Sequence, residues 1–330
     1  MRDKIFAGLA FSIIIFFLSS GALKAEWPER GITLVSSIPE VLPWSGEPTP
    51  QAEILAALVP RLSRELGVPV NLLVKSEGQG VLAANMVAGA SPDAYILGAL
   101  GPDQALGRVI QGYTPYVWNE LSPVATGWRE VNAIVVKKDS PVQTLADLAS
   151  VSSITPHRLA HQGQGALDVR TIMAISAAKA AGFSWILTPV KQLDPALLLQ
   201  NQAEAMVLPL GWLNRHPRLD QFRVLTLLVQ DSQVPCAKDL PTLANLGSQT
   251  MESSLFAFYI PAQVNWRIKS RLSSAINNAL RQPALSAALK EACLIPYRED
   301  LEGTEAVMNL EYNKLASEIV GLIPAAPEPR

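Results

Sequence analysis

The sequence predicts an α/β protein of two lobes built on mainly parallel sheet. Three observations carry that prediction. Short β-branched and apolar runs alternate with helix-period runs along most of the chain, the order that puts helices on the faces of a sheet. The chain has 330 residues, 49% of them hydrophobic, enough for two lobes with sizeable cores. A strand-like run returns late, at 255–260, ahead of three closing helices.

The elements follow in order. Residues 31–37 form a short β run, and a proline-rich loop covers 38–50. The spacing of Ile54, Leu55, Leu58, Leu62 and Leu66 predicts a helix over 51–66 with one apolar face. Pro60 has no N–H to donate and should kink that helix. Gly67 supplies its C-terminal cap. Strands at 69–75 and 94–100 flank a small-residue helix at 80–90. A further strand is expected at 132–137, and Thr144-Leu-Ala-Asp147 reads as a capping box opening a short helix. Residues 157–161 lead into Gln162-Gly-Gln-Gly165, and 166–181 is strongly helical. Strands are expected at 185–189, 204–208 and 222–228, with Asp194-Pro195 opening a helix that ends near 200. The closing helices fall at 263–281, 283–293 and about 304–322, before a proline-rich tail at 324–330 that reads as disordered.

Composition excludes several classes. Net charge is -2 and no long basic run occurs, which argues against nucleic acid as partner. Arg2 and Lys4, the apolar run 5–23 and the small-residue site at Leu23-Lys24-Ala25 mark residues 1–25 as a cleaved signal peptide, with an uncleaved anchor as the alternative. No later run is long enough to span a bilayer, so the mature chain is expected to be an exported, soluble, non-spanning protein. Cys236 and Cys293 are either a disulfide, as an oxidising compartment permits, or two buried thiols; sequence alone leaves both open.

Catalytic and metal motifs are weak. Gly163-Gln-Gly165 lacks both the Lys-Ser/Thr of a P-loop and a third glycine. His157 and His161 share a strand face without a third ligand. No Gly-x-Ser-x-Gly elbow occurs, and Ser36-Ser37 has no recognisable base. No enzyme activity, metal or cofactor is expected.

The order of motifs resembles the periplasmic receptors of tripartite tricarboxylate transporters, the Bug receptors. The likeness runs over nearly the whole mature chain. It rests on Trp27-Pro-Glu-Arg-Gly-Ile-Thr-Leu-Val35, Leu66-Gly-Val-Pro-Val70, Glu77-Gly-Gln-Gly80 and Ser91-Pro-Asp-Ala-Tyr95. Further along, it rests on Leu121-Ser-Pro-Val124, Asp139-Ser-Pro141, Thr144-Leu-Ala-Asp-Leu148, Thr188-Pro-Val-Lys191 and Leu240-Pro-Thr242. The resemblance implies the type II periplasmic-binding architecture: two α/β lobes with a ligand cleft between them. Lobe one would be 26–124 plus 252–330 and lobe two 125–251. It also implies a small-molecule ligand, membrane permease subunits as partners, and a monomer.

Two loops that each precede a helix, 36–52 and 162–169, are the candidate ligand loops, because helix N-termini present unpaired N–H groups to an anion. The residues expected at the ligand are Ser36, Ser37, Trp44, Thr49, Glu53, Gln162, Gly163, Gln164, Gly165, Ala166, Asp168 and Lys191. Trp44 is either a lid or ordinary loop packing. Both loops depart from the family pattern. The first is long and poor in glycine, Glu53 stands for an Asp and Ala52 for a Thr; in the second, Ala166 stands for a Ser and Val169 for a His. Asp168 would repel an approaching carboxylate. The resemblance implies a carboxylate ligand, and these departures point to an amphoteric, amino-acid-like solute whose ammonium pairs with Glu53 or Asp168. The alternative is a receptor-like interaction or sensing protein whose site has drifted or been lost.

Overall fold

The computed structural model describes residues 27–152, 157–162, 165–231, 234, 236–246 and 252–322. The expected signal peptide, the proline-rich tail and Gly163-Gln164 lie outside the described residues.

The chain opens with β1 (Ile32–Ser36), α1 (Pro50–Leu66) and β2 (Val70–Val74), then α2 (Val81–Ala88), β3 (Ile96–Leu100) and the single turn α3 (Arg108–Ile110). Two strands follow in succession, β4 (Leu121–Glu130) and β5 (Asn132–Lys137), then α4 (Leu145–Ser152), β6 (His157–Gln162), α5 (Val169–Ala181) and β7 (Trp185–Val190). Next come α6 (Ala196–Leu199), β8 (Ala205–Pro209), α7 (Leu210–Leu213) and β9 (Phe222–Leu227). The chain closes with β10 (Leu255–Pro261), α8 (Trp266–Arg281), α9 (Pro283–Glu291), β11 (Leu294–Pro296) and α10 (Leu301–Leu322).

Two sheets result, one per lobe, ordered β11-β4-β10-β3-β1-β2 and β7-β6-β8-β5-β9. Each is mixed rather than mainly parallel. β1 is parallel to β2 and β3, and β6 to β7 and β8, while β4, β5 and β10 pair antiparallel with their neighbours. The cause is the double crossing of the chain: strands that leave one sheet for the other enter or depart against the βαβ direction.

β4 stays hydrogen-bonded to β10 as far as Arg129, so residues 125–130 belong to the first sheet. The first crossing therefore falls at Val131 rather than after Val124. The second passes through Ser254, whose carbonyl accepts from Glu130 N at 3.0 Å. The two crossings thus run side by side. Pro123 and Gly127 hid β4 from sequence reading. Both sit beside register shifts against β10, where a bulge tolerates a missing N–H or a missing side chain.

Local chemistry accounts for the elements that match. The buried stripe Ile54, Leu55, Leu58, Leu62 and Leu66 faces β1 and α8, and each fully buried side chain contributes roughly 1.5–3 kcal/mol. α1 runs through Pro60 and ends at Gly67, whose φ of 74° is left-handed. α5 begins at Val169, three residues later than its helical run suggests, because Asp168 adopts extended backbone and caps it. Cys236 and Cys293 form a disulfide with Cα atoms 5.6 Å apart. It ties the segment after β9 to the residue just ahead of β11, one in each lobe.

Gly211 in α7 lies against the backbone carbonyl of Ala292, across the junction between lobes, leaving no room for a Cβ. Gly211→Ala should push the lobes apart and lower stability by about 1–3 kcal/mol, read from the denaturation midpoint. An unchanged midpoint would show that the junction yields freely.

Candidate functional site

A cavity of about 280 Å³ lies between the lobes. Its walls come from the end of β1, the first turn of α1, the segment after β3, the two crossings and the first turn of α5. Trp128 and Phe256, stacked at 4.2 Å, form part of its apolar floor with Trp212 nearby.

The first loop is fixed largely by its own bonds. Ser36 is buried at the end of β1, and its Oγ accepts from Ile38 N at 3.1 Å. Ser37 lines the cavity; its hydroxyl donates to Gln104 Oε1 at 3.1 Å and accepts from Gly101 N at 3.3 Å. Thr49 is the N-cap of α1: its Oγ1 accepts from Ala52 N at 3.1 Å and donates to the Pro39 carbonyl at 2.8 Å. Trp44 stands outside the cavity, edge-on to Trp212 at 6.4 Å and His216 at 5.0 Å, and braces the loop against the other lobe. Glu53 is half exposed and pairs with Arg215 at 2.7 Å, away from the cavity. In the first turn of a helix, residues two apart point to nearly opposite sides. Gln51 therefore takes the inward position, accepting from Trp212 Nε1 at 2.8 Å and donating to Glu130.

In the second loop, Gln162 lines the cavity, and its Nε2 donates to the carbonyl of Lys191 at 3.4 Å. Lys191 is exposed and outside the cavity. Ala166 is buried behind the loop. Gly165, with φ of 90°, lies under the ring of Tyr113 from the opposite lobe. Asp168 lines the cavity, and its carboxylate is engaged by Thr171 N at 2.8 Å and Thr171 Oγ1 at 3.0 Å.

Sequence reading missed Gln51, Asp103, Glu130, Asn132, Arg170 and Ser254, all of which line the cavity. Asp103, from the first lobe, accepts a hydrogen bond from Val169 N at the start of α5. A protein carboxylate thus holds a helix N–H that an anionic ligand could have taken. Gln111 adds two more bonds between the lobes, to Leu167 N at 2.9 Å and to its carbonyl at 2.8 Å.

Among the described residues, four charged side chains line the cavity: Asp103, Glu130, Asp168 and Arg170. Burial pushes Asp103 up to about 6, reinforced by the charge of Asp168 and opposed by Arg170 and the Val169 N–H. Burial also raises Glu130, against the pull of Arg170 and hydrogen bonds from Gln51 and Asn132. Burial works against the charge of Arg170 too, but Asp168, Glu130 and Asp103 together outweigh it and keep the guanidinium charged.

The pH dependence of stability follows from Asp103. Its folded value lies above the unfolded one, so the folded state binds more protons across about pH 4–6. That contribution is fully present below pH 4 and is lost as pH rises through 6. Relative to Asp103→Asn, the native chain should lose about 1–3 kcal/mol between pH 4 and 7, measured by paired urea titrations. Parallel pH profiles for the two proteins would contradict this.

No group of three or more His, Cys, Asp or Glu side chains that could hold a metal occurs among the described residues. Nor does any described helix have the length and apolarity to cross a membrane.

The chain is 24% identical over 248 residues to the UPF0065 protein in gbd 5′ region of Cupriavidus necator, covering 73% of each chain. Its fold matches a Rhodopseudomonas palustris protein solved with adipate at a TM-score of 0.72 and 20% identity, covering 89% of this chain and 98% of that one. MatC of the same organism, solved with bound malate, matches at a TM-score of 0.70 and 19% identity, covering 89% and 100%. The sequence profile of the tripartite tricarboxylate transporter family receptor matches residues 55–320. Two mixed sheets with a cavity where the chain crosses between them, together with that match, place this chain in the tripartite tricarboxylate transporter receptor family.

Proposed function

We propose that this protein captures a small organic solute between its lobes in the periplasm and delivers it to the membrane permease subunits of a tripartite transporter. The solute is a carboxylate or an amphoteric, amino-acid-like molecule. The protein acts as a monomer after its signal peptide is removed, and it catalyses nothing. One observation carries the reading: the cavity is walled by both lobes and by both crossings, so closing the lobes buries whatever it holds. The relatives solved with malate and adipate support a solute of that size.

The test is thermal unfolding of the mature protein against a panel of carboxylates, amino acids and amines. A solute at 100 times its Kd adds about 2.7 kcal/mol of stability. A panel that shifts nothing would remove the transport reading and favour a docking or sensing protein with a lost site.

A further inference from the structure

Resting on the receptor reading above, we infer that the solute carries a protonated amine and at most one carboxylate, with the amine held between Glu130 and Asp103. The charged lining supports this. Asp168 and Arg170 offset each other, with Oδ1 and Nε 3.8 Å apart, and Asp168 is further engaged in capping α5. Glu130 and Asp103 remain. Their hydrogen-bond donors are Gln51, Asn132 and a backbone N–H, all neutral; Arg170 acts on both and Arg108 on Asp103 through space, without a direct ion pair to either carboxylate among the described residues, so two partly buried carboxylates face the cavity with no paired cation of their own.

A second observation, independent of the carboxylates, points to a ligand that donates hydrogen bonds. Asn132 Oδ1 and Ser254 Oγ line the same cavity, in residues only 1% and 2% exposed, and neither has a hydrogen-bond partner among the described residues. An unpaired buried polar atom costs free energy; Asn132 Oδ1 can only accept, so a ligand N–H recovers its share, and the Ser254 hydroxyl is free to accept beside it. Both oxygens flank Glu130: Asn132 is two residues along the chain, and the Ser254 carbonyl bonds to Glu130 N. The aromatic surfaces of Trp128, Trp212 and Phe256 suit an alkylammonium better than a hydrated anion.

The same count disfavours a dicarboxylate. It would bring two negative charges to three cavity carboxylates and a single guanidinium, and the N–H at the start of α5 is already bonded to Asp103. A single ligand carboxylate can still be met by the guanidinium of Arg170, which lines the cavity.

The experiment uses the mature protein with the disulfide intact. Probes are the twenty L-amino acids, ethanolamine, putrescine, malate, adipate and the deaminated analogue of any amino compound that binds. The expected result is that an amino compound raises the melting temperature and binds at least tenfold more tightly than its deaminated analogue, while malate and adipate do not bind. Glu130→Gln should then weaken the amino compound about tenfold to hundredfold. Asp103→Asn, which keeps an oxygen for the Val169 N–H, should weaken it in the same direction and gives an independent readout if the Glu130 variant does not fold. Binding of malate or adipate with no amino compound bound overturns the amine inference and leaves the receptor reading standing. Silence from every probe overturns both.

Discussion

Arg170→Met should lower the stability of this protein by about 3–5 kcal/mol at neutral pH, the range measured when one partner of a buried charge cluster is removed. Arg170 sits in the first turn of α5 among Asp168, Glu130 and Asp103. Methionine keeps much of the apolar stem and removes the guanidinium, leaving three cavity carboxylates with no cationic side chain in the described cavity lining and only the more distant Arg108 acting on Asp103. The loss should shrink on acidification, because Glu130 and Asp103 are already pushed toward their neutral forms and complete that protonation first. Urea unfolding at pH 5 and pH 7.5 checks both size and direction. Arg170→Lys keeps the charge without the planar fork and should fall between the two. A methionine variant as stable as the native chain at pH 7.5 would mean that water, not Arg170, balances these carboxylates.

The second large effect is expected at the disulfide. The 57-residue separation between Cys236 and Cys293 sets the loop whose closure restricts the unfolded chain, and loss of such a bridge costs about 2–4 kcal/mol. Because the bridge joins the lobes close to both crossings, its removal should also widen the range of lobe openings. The double variant Cys236→Ala/Cys293→Ala should melt lower than the oxidised native chain and show a broader distance distribution by small-angle scattering. A midpoint shift below about 1 kcal/mol would contradict the stabilising role.

Three of the contacts described above meet at the junction between the lobes. Gly211 against Ala292, Asp103 against Val169 and the disulfide are separate contacts across it. Disturbing any one should weaken closure without unravelling either sheet, since one face of each sheet has a largely separate buried cluster, with α1 and α8 packed on the first sheet and Leu208 and Leu227 in the second.

Much of the fold could be read from residue order. The alternation of strands and helices, the apolar stripe of α1 and its glycine stop are local, because backbone hydrogen bonding and side-chain periodicity act over a few residues. The mixed sheet order was not readable. It depends on where β4 and β10 lie after the chain has crossed between lobes, and the Pro123 and Gly127 that break β4's pattern are accommodated only by pairing partners more than a hundred residues away.

The site divides the same way. Ser37, Gln162 and Asp168 lie on the two loops that sequence singled out, and all three line the cavity. Glu53 and Lys191 share those surroundings in sequence but do not line the cavity, and Trp44 packs edge-on to Trp212 and His216 outside it. Glu130, Asn132 and Ser254 belong to segments with no motif at all. They reach the cavity because the crossings bring distant backbone side by side.

By itself the sequence determined the α/β class and singled out the two loops that carry Ser37, Gln162 and Asp168 to the cavity, since each is a property of neighbouring residues. Only the tertiary structure decided the charge of the cavity. That charge is a sum over Asp103, Glu130, Asp168 and Arg170, drawn from both lobes, and Coulomb energy depends on their distance in space and their burial, not on their separation along the chain.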